Sequence, residues 1–400
     1  MSTRIDRWIT PDDRAASAYL EIPFEIRAGA GSLEVRLSYD RRAAVVDLGC
    51  AGPAGFRGWS GSARDRFTIG PSAATPGYTP GEPESGTWSV VLGLHRIPTP
   101  GVDVTIELLV PAVEPPMTAP PTPPVPQRPP RSDLPTLQGL VWLACDLHAH
   151  TVHSDGLLGV PELAATAVRA RLDVLAVTDH NTVSHQQELA SAGSRYGITL
   201  LPGQELTTDR GHANAFGEIG WIDFRRPAQD WVDAVAAAGG LLSINHPLAA
   251  DCAWHHPLVR RPPLAEIWHW TWLDRRWTWP LAWWTAWGED TVPVGGSDFH
   301  SPAQGRHVGA PVTWVACESD NQAAVLDGLR AGRTALAAGV EAPALLRVGD
   351  EFVAVGGDGT HLIDRDGRRM PVRGELARFP AAPGPHHLAT SAAEIVAITA

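Results

Sequence analysis

The chain has no lysine. All 32 of its basic residues are arginine, set against 44 acidic residues for a formal net charge of −12. An acidic chain without a basic tract lacks the clustered cations that neutralise a run of phosphates, so long nucleic acid is not an expected partner. A small anionic substrate held by metal ions stays compatible with this balance. Cysteine is scarce as well: Cys50, Cys145, Cys252 and Cys317 are scattered, with no CxxC pair. That excludes a disulfide framework and a thiolate zinc site, and it fits free thiols in a reducing compartment. No apolar stretch is long enough to span a bilayer, and Met1 to Ala15 is polar, without an apolar leader core. The expectation is a cytoplasmic protein with no membrane partner. A serine-hydrolase elbow is missing too, because Gly58–Trp59–Ser60–Gly61–Ser62 lacks the second glycine of G-x-S-x-G. No phosphate-cradling P-loop and no internal repeat appear.

Four hundred residues at 44% hydrophobic suffice for one large barrel domain and a smaller partner, each with its own core. Residues 1–110 read as an all-β sandwich. Ser32 to Tyr39 and Gly101 to Leu108 alternate apolar with polar, Thr87 to Leu94 is a third candidate strand, and Gly/Pro-rich turns separate them. Residues 111–130 are half proline, so 111–137 is expected to be an extended linker, a semi-rigid spacer or surface strap. From 138 to 340 apolar strands alternate with helical stretches at Pro161 onward, Gln229 to Ala238 and Asn321 to Leu329. Such alternation means an α/β fold with a parallel sheet or barrel. Residues 250–290 look like a tryptophan-rich insertion into it, and 341–400 like a short C-terminal β extension.

Within the barrel region, ligand-type residues follow short apolar runs. Leu140 to Leu143 leads into Asp146, His148, His150 and Asp155; Val174 to Val177 into Asp179 and His180; Ile198 to Leu201 into Glu205. Leu241 to Ile244 leads into Asn245 and His246, and Val292 to Val294 into Asp298 and His300. Five strands delivering such residues from one end describe the mouth of an α/β barrel, where chemistry collects. His148 and His150 share a face because residues two apart on extended chain do. Glu205 suits a bridge between two ions, since one carboxylate can hold both. With Asp155, His180, His212, His246, Asp298 and His300 the set is long enough for two or three divalent ions. Imidazole and carboxylate ligands suit Zn, Mn or Fe better than Mg or Ca. Glu205, His246 and Asp298 stand out as the catalytic candidates, on the expectation that the ions generate hydroxide from water and polarise the substrate oxygen.

Urease-type amidohydrolases also open with HxH after a first strand and end with an aspartate. They commonly bridge their metals with a carboxylated lysine, which this chain cannot supply. The ordered motifs Asp146–Leu–His–Ala–His150, Ser154–Asp155–Gly156, Thr178–Asp179–His180, Pro202–Gly–Gln–Glu205, Asn245–His–Pro247 and Gly296–Ser–Asp–Phe–His300 resemble instead those of the PHP (polymerase and histidinol phosphatase) superfamily. The resemblance covers roughly 138–340 and implies a distorted (β/α)7 barrel with a two- or three-metal site. It implies one ion on His148, His150, Glu205 and Asp298, and a second on Glu205, His246 and a loop histidine, here His212. A third would sit on Asp155, His180 and His300. The run Gly211–His–Ala–Asn–Ala–Phe–Gly217, the N-terminal β-domain and the proline strap look more like the carbaryl-hydrolase branch, whose named member hydrolyses a carbamate ester.

Several residues have a second reading. Asp146 and Asp179 sit beside ligands and would orient imidazoles through their other N–H. His153 reads as a support or surface residue, and His255 and His256 as solvent-facing or pocket-lining. Arg306 and His307 are candidates for gripping an anionic substrate group, with an ordinary surface arginine as the alternative. Nine of the sixteen tryptophans lie between Trp254 and Trp287. They read first as packing for the insertion or for contact with a second copy in a homo-oligomer, and second as the wall of an aromatic pocket. The function expected is hydrolysis of a small-molecule ester, with phosphate esters ahead of carbamate or carboxylic esters. A non-catalytic metal- or carbohydrate-binding protein is the alternative from a different class.

Overall fold

The computed structural model describes residues 2–117, 120–288 and 290–400; residues 118 and 119 of the expected linker lie outside them. The chain forms two compact units. One comprises Met1–Pro121, Thr151–Gly159 and Asp179–Gln187, the other Thr122–His150, Val160–Thr178 and Glu188–Ala400.

The first unit holds β1 (Ser2–Ile9), α1 (Pro11–Ala16), β2 (Tyr19–Ile26), β3 (Leu33–Tyr39) and β4 (Val45–Gly52). It continues with β5 (Gly55–Gly61), β6 (Arg66–Ile69), β7 (Gly86–Arg96) and β8 (Val102–Leu109). The strands pair as two antiparallel sheets, ordered β1-β8-β3-β6 and β2-β7-β4-β5. Their inward residues make one core, in which Leu33, Val35, Phe67, Val90 and Ile106 from the two sheets are fully buried. The period-2 pattern explains this directly, since in β8 Val102, Val104, Ile106 and Leu108 face in while their neighbours are more exposed. Segments 151–159 and 179–187 were expected within the barrel, yet they cluster with this unit. Their polar side chains bond its loops: Thr182 Oγ1 donates to Gly77 O (2.8 Å), Ser184 Oγ accepts from Gly77 N (3.1 Å), and Arg64 reaches Ser154 O (3.0 Å).

The second unit is built on β9 (Val141–Asp146), α2 (Val160–Arg169), β10 (Val174–Val177), α3 (Gln186–Tyr196), β11 (Thr199–Thr208) and β12 (Gly211–Phe216). Next come α4 (Ala228–Ala237), β13 (Leu241–Ile244), β14 (Leu264–His269), α5 (Trp279–Trp287) and β15 (Val292–Gly296). Then follow β16 (Val312–Cys317), α6 (Gln322–Arg330) and β17 (Thr334–Ala337). The C-terminal strands are β18 (Ala344–Val348), β19 (Glu351–Val355), β20 (His361–Ile363), β21 (Arg369–Pro371), β22 (Leu376–Pro380), β23 (His386–Ala389) and β24 (Ile395–Thr399). One sheet of thirteen strands runs in the order β15-β14-β13-β12-β11-β10-β9-β16-β17-β24-β23-β20-β21, and β18, β19 and β22 form a separate small sheet. Beyond β9 and β15, a bridge between Ala149 and Phe299 brings the two ends of the seven-strand run β9–β15 together.

Three expectations need correction. Strand–helix alternation fails after β11, because β12 follows across Asp209–Arg210 and pairs antiparallel with both β11 and β13. Glu205 therefore lies inside a strand, opposite Asn214, and not in a loop after one. Residues 250–290 are no mere insertion, since they supply β14, which pairs in parallel with β13 and β15. Along this sheet the buried residues Leu143, Val174, Leu201, Phe216, Leu264 and Val294 pack as one core. No helix among the described residues is long and apolar enough to cross a membrane.

The proline-rich segment has no regular structure but is tied down. Within the first unit, the fully buried Glu34 accepts N–H bonds from Val113 and Glu114 (2.9 Å each) and one from Arg36 Nε (2.7 Å). Within the second, Pro123 O and Pro135 O accept from Tyr196 and Trp142 (2.7 and 3.0 Å). Replacing Glu34 with alanine removes three charge-assisted bonds at once. Glu34→Ala is expected to lower stability in a urea titration by roughly 2–4 kcal/mol. An unchanged midpoint would show that the start of the strap is held by something else.

Candidate metal centre

Ligand-type residues converge in the second unit because the chain leaves β9, β11, β12, β13, β14 and β15 close together. Past β9, Leu147 and Ala149 turn into the core while His148 and His150 turn the other way, all four buried. Glu205 is completely buried. Its Oε1 lies 3.2 Å from His148 Nε2, 3.2 Å from His212 Nδ1 and 3.4 Å from His246 Nε2. Its Oε2 lies 3.5 Å from His150 Nε2, and Asn245 Nδ2 donates to Oε1 (2.7 Å).

Asp298 is a second hub. Oδ1 lies 3.2 Å from His150 Nε2, 3.4 Å from His148 Nε2 and 3.5 Å from His300 Nδ1. Oδ2 lies 3.3 Å from His269 Nε2 and accepts from Trp270 Nε1 (3.0 Å). Two of these residues have a backbone conformation that side chains disfavour, with φ of +26° at His246 and +50° at Asp298. Close approach also requires Gly296, where a Cβ would stand 2.4 Å from that of His148. The fold holds these groups in place at a local conformational cost.

The protonation pattern shows what the cluster can hold. Glu266 Oε1 lies 3.2 Å from His148 Nδ1, and Oε2 accepts the His246 backbone N–H (2.8 Å). A carboxylate only accepts, so His148 Nδ1 carries the proton. In the neutral ring, Nε2 then aims a lone pair at the carboxylates of Glu205 and Asp298. His148 Nε2 is buried and makes no hydrogen bond of good geometry there. A cation must balance this arrangement. In its absence the proton does so: burial alone would lower the His148 pKa, but Glu205, Glu266 and Asp298 hold it well above its ordinary value. Burial would likewise raise Asp298, yet the imidazoles of His148, His150 and His269 hold it well below the usual carboxylate range. Separations of 3.2–3.5 Å between these atoms match neighbouring ligands of one ion bound at about 2.1 Å. The donor set fits divalent metal. The ligand-type atoms of His148, His150 and Glu205 lie within 4.8 Å of one another, as do those of His148, His246, Glu266 and His269.

Of the expected set, His148, His150, Glu205, His212, His246, Asp298 and His300 lie in the second unit. Asp155 and His180 belong to the first unit, where Asp155 Oδ1 stands 3.5 Å from His180 Nε2. Asp146 does not orient an imidazole. It accepts from the backbone N–H groups of His148 (3.2 Å), Ser297 (2.9 Å) and Gly309 (2.7 Å), clamping the chain after β9 to the chain after β15. Asp179 accepts from Thr151 and Ser154 and lies 3.1 Å from His185, an imidazole outside the expected ligands. His153 is buried, not a surface residue, with Nδ1 2.7 Å from Ser184 Oγ. His256 is half-buried in the second unit with Nε2 2.8 Å from Thr208 Oγ1, and burial pushes its pKa down to about 4. Arg306 Cζ lies over Trp270, 3.3 Å from the ring centre, with Nη1 3.6 Å from Asp298 Oδ2. His307 is exposed, and no hydrogen bond or ion pair joins its ring to the cluster.

Glu266 and His269 were missed. Both sit in β14, inside the run Leu264–Ala–Glu–Ile–Trp–His269, the same mixture of apolar and ligand-type residues that marked the other strands. The surrounding tryptophans disguised it as an insertion. Cys252 was also passed over. Its Sγ lies 3.3 Å from His246 Nδ1, while burial and then Asp251 push the thiol pKa up, so it stays protonated.

Residues 146–247 match the PHP domain. Over that quarter of its length the chain is similar to the PHP domain. The match begins at Asp146 and ends just past His246, spanning His148, His150, Glu205, His212 and His246 but not His269, Asp298 or His300. Among curated proteins, a 5'-3' exoribonuclease of Haemophilus influenzae is 39% identical over 64 residues, 16% of this chain and 23% of that protein. The 5'-3' exoribonuclease of Escherichia coli is 42% identical over 65 residues, 16% of this chain and 22% of its own length. The chain thus spans under a quarter of the length of these relatives. Among solved structures, a two-domain protein of Bacteroides vulgatus containing a predicted PHP-like metal-dependent phosphoesterase is similar at 17% identity. That similarity has a TM-score of 0.42 and covers 68% of this chain and 91% of that one.

Glu266 orients His148 from behind the cluster, with Oε1 3.2 Å from Nδ1. Glu266→Gln is expected to weaken zinc binding about 10- to 100-fold in a competition titration with a chromophoric chelator. Unchanged affinity would remove it from the centre.

Proposed function

We propose that this chain is a metal-dependent hydrolase of small-molecule esters, with phosphate esters the favoured substrates. The observation that carries the reading is the buried His148 Nε2 pointing between the carboxylates of Glu205 and Asp298 (3.2 and 3.4 Å), an arrangement that calls for a cation. His148, His150, Glu205 and Asp298 would hold one divalent ion, and Glu205, His212 and His246 a second. Zn, Mn or Fe suits this imidazole–carboxylate set. Such ions supply Lewis acidity, which lowers the pKa of water and draws charge from a substrate oxygen.

The chain's own residues prepare that chemistry. Glu266 fixes the His148 tautomer, and the Cys252 thiol faces Nδ1 of His246, just past the end of β13. Trp270 holds one Asp298 oxygen through its N–H, leaving the other toward His148 and His150. Arg306, stacked on Trp270, places a guanidinium at the Asp298 edge, suited to an anionic substrate oxygen.

Phosphate esters are supported by the PHP domain and by relatives named as exoribonucleases. The second reading, a carbamate or carboxylic ester of an aromatic alcohol, is supported by the tryptophan-rich surroundings of His246 and His269. The net charge of −12 and the absence of lysine speak against a long polynucleotide.

The test is turnover by Mn- or Zn-loaded protein of p-nitrophenyl phosphate and bis-p-nitrophenyl phosphate against naphthyl carbamate and naphthyl acetate. Metal-dependent phosphate release is the expected result, and selective turnover of the naphthyl esters would move the assignment to the second reading. Glu205→Gln is expected to lower both bound metal, measured by plasma mass spectrometry, and kcat by more than about a hundredfold. A fully metallated, active Glu205→Gln protein would sink the bridging role. A folded wild-type protein that takes up no metal would leave only a binding function.

A further inference from the structure

Between α5 and the C-terminal strands, the second unit opens a cavity of about 600 Å³. This is within the range of small-molecule sites, about 300–1,000 Å³. None of the residues lining it belongs to the candidate metal centre. Its floor follows from strand register. In the antiparallel run β21-β20-β23, Arg369 and His387 both stand opposite Ile363, and in β24 Ile398 stands opposite His387. Residues directly opposite one another share a face, so guanidinium, isoleucine and imidazole form one row across the sheet. Ile398 belongs to the same buried cluster as Leu281 and Trp284, which makes this the face beneath α5. The roof is the helix face carrying Leu281, Ala282, Thr285 and Ala286. Alanine and threonine are too short to fill the space down to the strands.

The polar groups of the cavity are unevenly matched. Arg276 is spent on Asp274, which it grips through Nε (2.8 Å) and Nη2 (2.7 Å). The aspartate of the lining, Asp364, accepts the backbone N–H groups of Asp366 and Arg368 (2.9 Å each) and offsets Arg365 in count. Arg369 then remains, and among the described residues no ion pair takes up its charge. Beside it, His387 is only 8% exposed, and among the described residues no hydrogen bond reaches its ring. Burial first, then the neighbouring His386 and Arg369, push its pKa down to about 4. The ring is therefore neutral, with an N–H to donate and no partner to receive it. A buried polar group in that state costs free energy until something bonds it.

We propose that this cavity binds a small organic monoanion, a carboxylate with a compact aliphatic body. Its oxygens lie on Arg369 and His387, and its body lies between Ile363, Ile395 and the small side chains of α5. A carboxylate suits the planar guanidinium fork and accepts the imidazole N–H as well. One uncompensated arginine balances one negative charge, so a dianion is disfavoured. The site does not depend on the hydrolase reading.

The test is isothermal calorimetry of the full-length metal-loaded protein with cyclohexanecarboxylate. Cyclohexylmethanol, acetate and inorganic phosphate are the comparisons, lacking respectively the charge, the body and both the body and the single charge. Cyclohexanecarboxylate is expected to bind at least about tenfold more tightly than any of them. Arg369→Gln, at an exposed position, is expected to lose about tenfold or more of that affinity and to keep the wild-type metal content. Thr285→Trp, at an exposed position on α5, narrows the cavity and is expected to weaken binding similarly. Affinity untouched by Arg369→Gln would overturn the proposal, because the anion would then be held elsewhere, the metal centre included. Equal binding of cyclohexylmethanol, or tighter binding of phosphate, would overturn it too. A protein inert toward every ester that binds the carboxylate through Arg369 would uphold this site and strike down the hydrolase reading alone.

Discussion

Two carboxylates that share a set of imidazoles, Glu205 fully buried and Asp298 mostly so, set the terms for this protein. Glu205 and Asp298 stand within 3.2–3.5 Å of imidazole nitrogens from five strand ends, with His148 common to both. Without a positive charge between them, anions at this burial would repel and would lack the hydration they gave up. The pKa of His148 rises to supply that charge in its simplest form, a proton. A divalent ion supplies it with ligand geometry as well, and that is why the cluster reads as a metal centre and not as a set of structural ion pairs.

Holding such a cluster takes rigid supports, and the sheet provides them. Asp146 ties the backbone after β9 to that after β15 through four hydrogen bonds, including one from Ser297 Oγ (2.6 Å). His148 and Gly296 touch so closely that no side chain fits at the glycine. The disfavoured φ values at His246 and Asp298 are tolerated because each residue is fixed from several sides, His246 through its own backbone N–H on Glu266 and Asp298 through its N–H on His148 O (2.9 Å). Local strain of this kind is common where geometry serves chemistry over stability.

The tryptophans serve two ends. Trp268 and Trp284 are core residues that seat β14 and α5 against Leu336 and Ile398. Trp272, Trp277, Trp279 and Trp283 surround a cavity whose inner end is the metal cluster's own histidine pair. One segment thus contributes a strand, two ligand-type residues and an apolar chamber, which ties any change in packing there to a change at the centre.

The sequence alone determined which ligand-type residues stand near the sheet and much of the local structure. HxH after an apolar run, the glutamate at 205 and the DxH at 298–300 are residue types with few structural uses in such positions, and apolar alternation marked β3 and β8 of the β-rich unit, with β7 a third candidate. The helices at Val160–Arg169, Ala228–Ala237 and Gln322–Arg330 were legible from proline, Gly–Gly and Asn321 at their ends. Only the tertiary structure decided who meets whom. That Glu266 sits behind His148, that His269 reaches Asp298, and that Asp146 clamps backbone and not a ring depend on strand register and on one antiparallel strand, β12, set between β11 and β13. Register is fixed by contacts between residues far apart in the chain, and no local pattern encodes it. The grouping of Asp155 and His180 with the β-rich unit has the same cause: hydrogen bonds to Gly77 and Arg64, more than seventy residues away in sequence, outweigh the position of those segments within the barrel motifs.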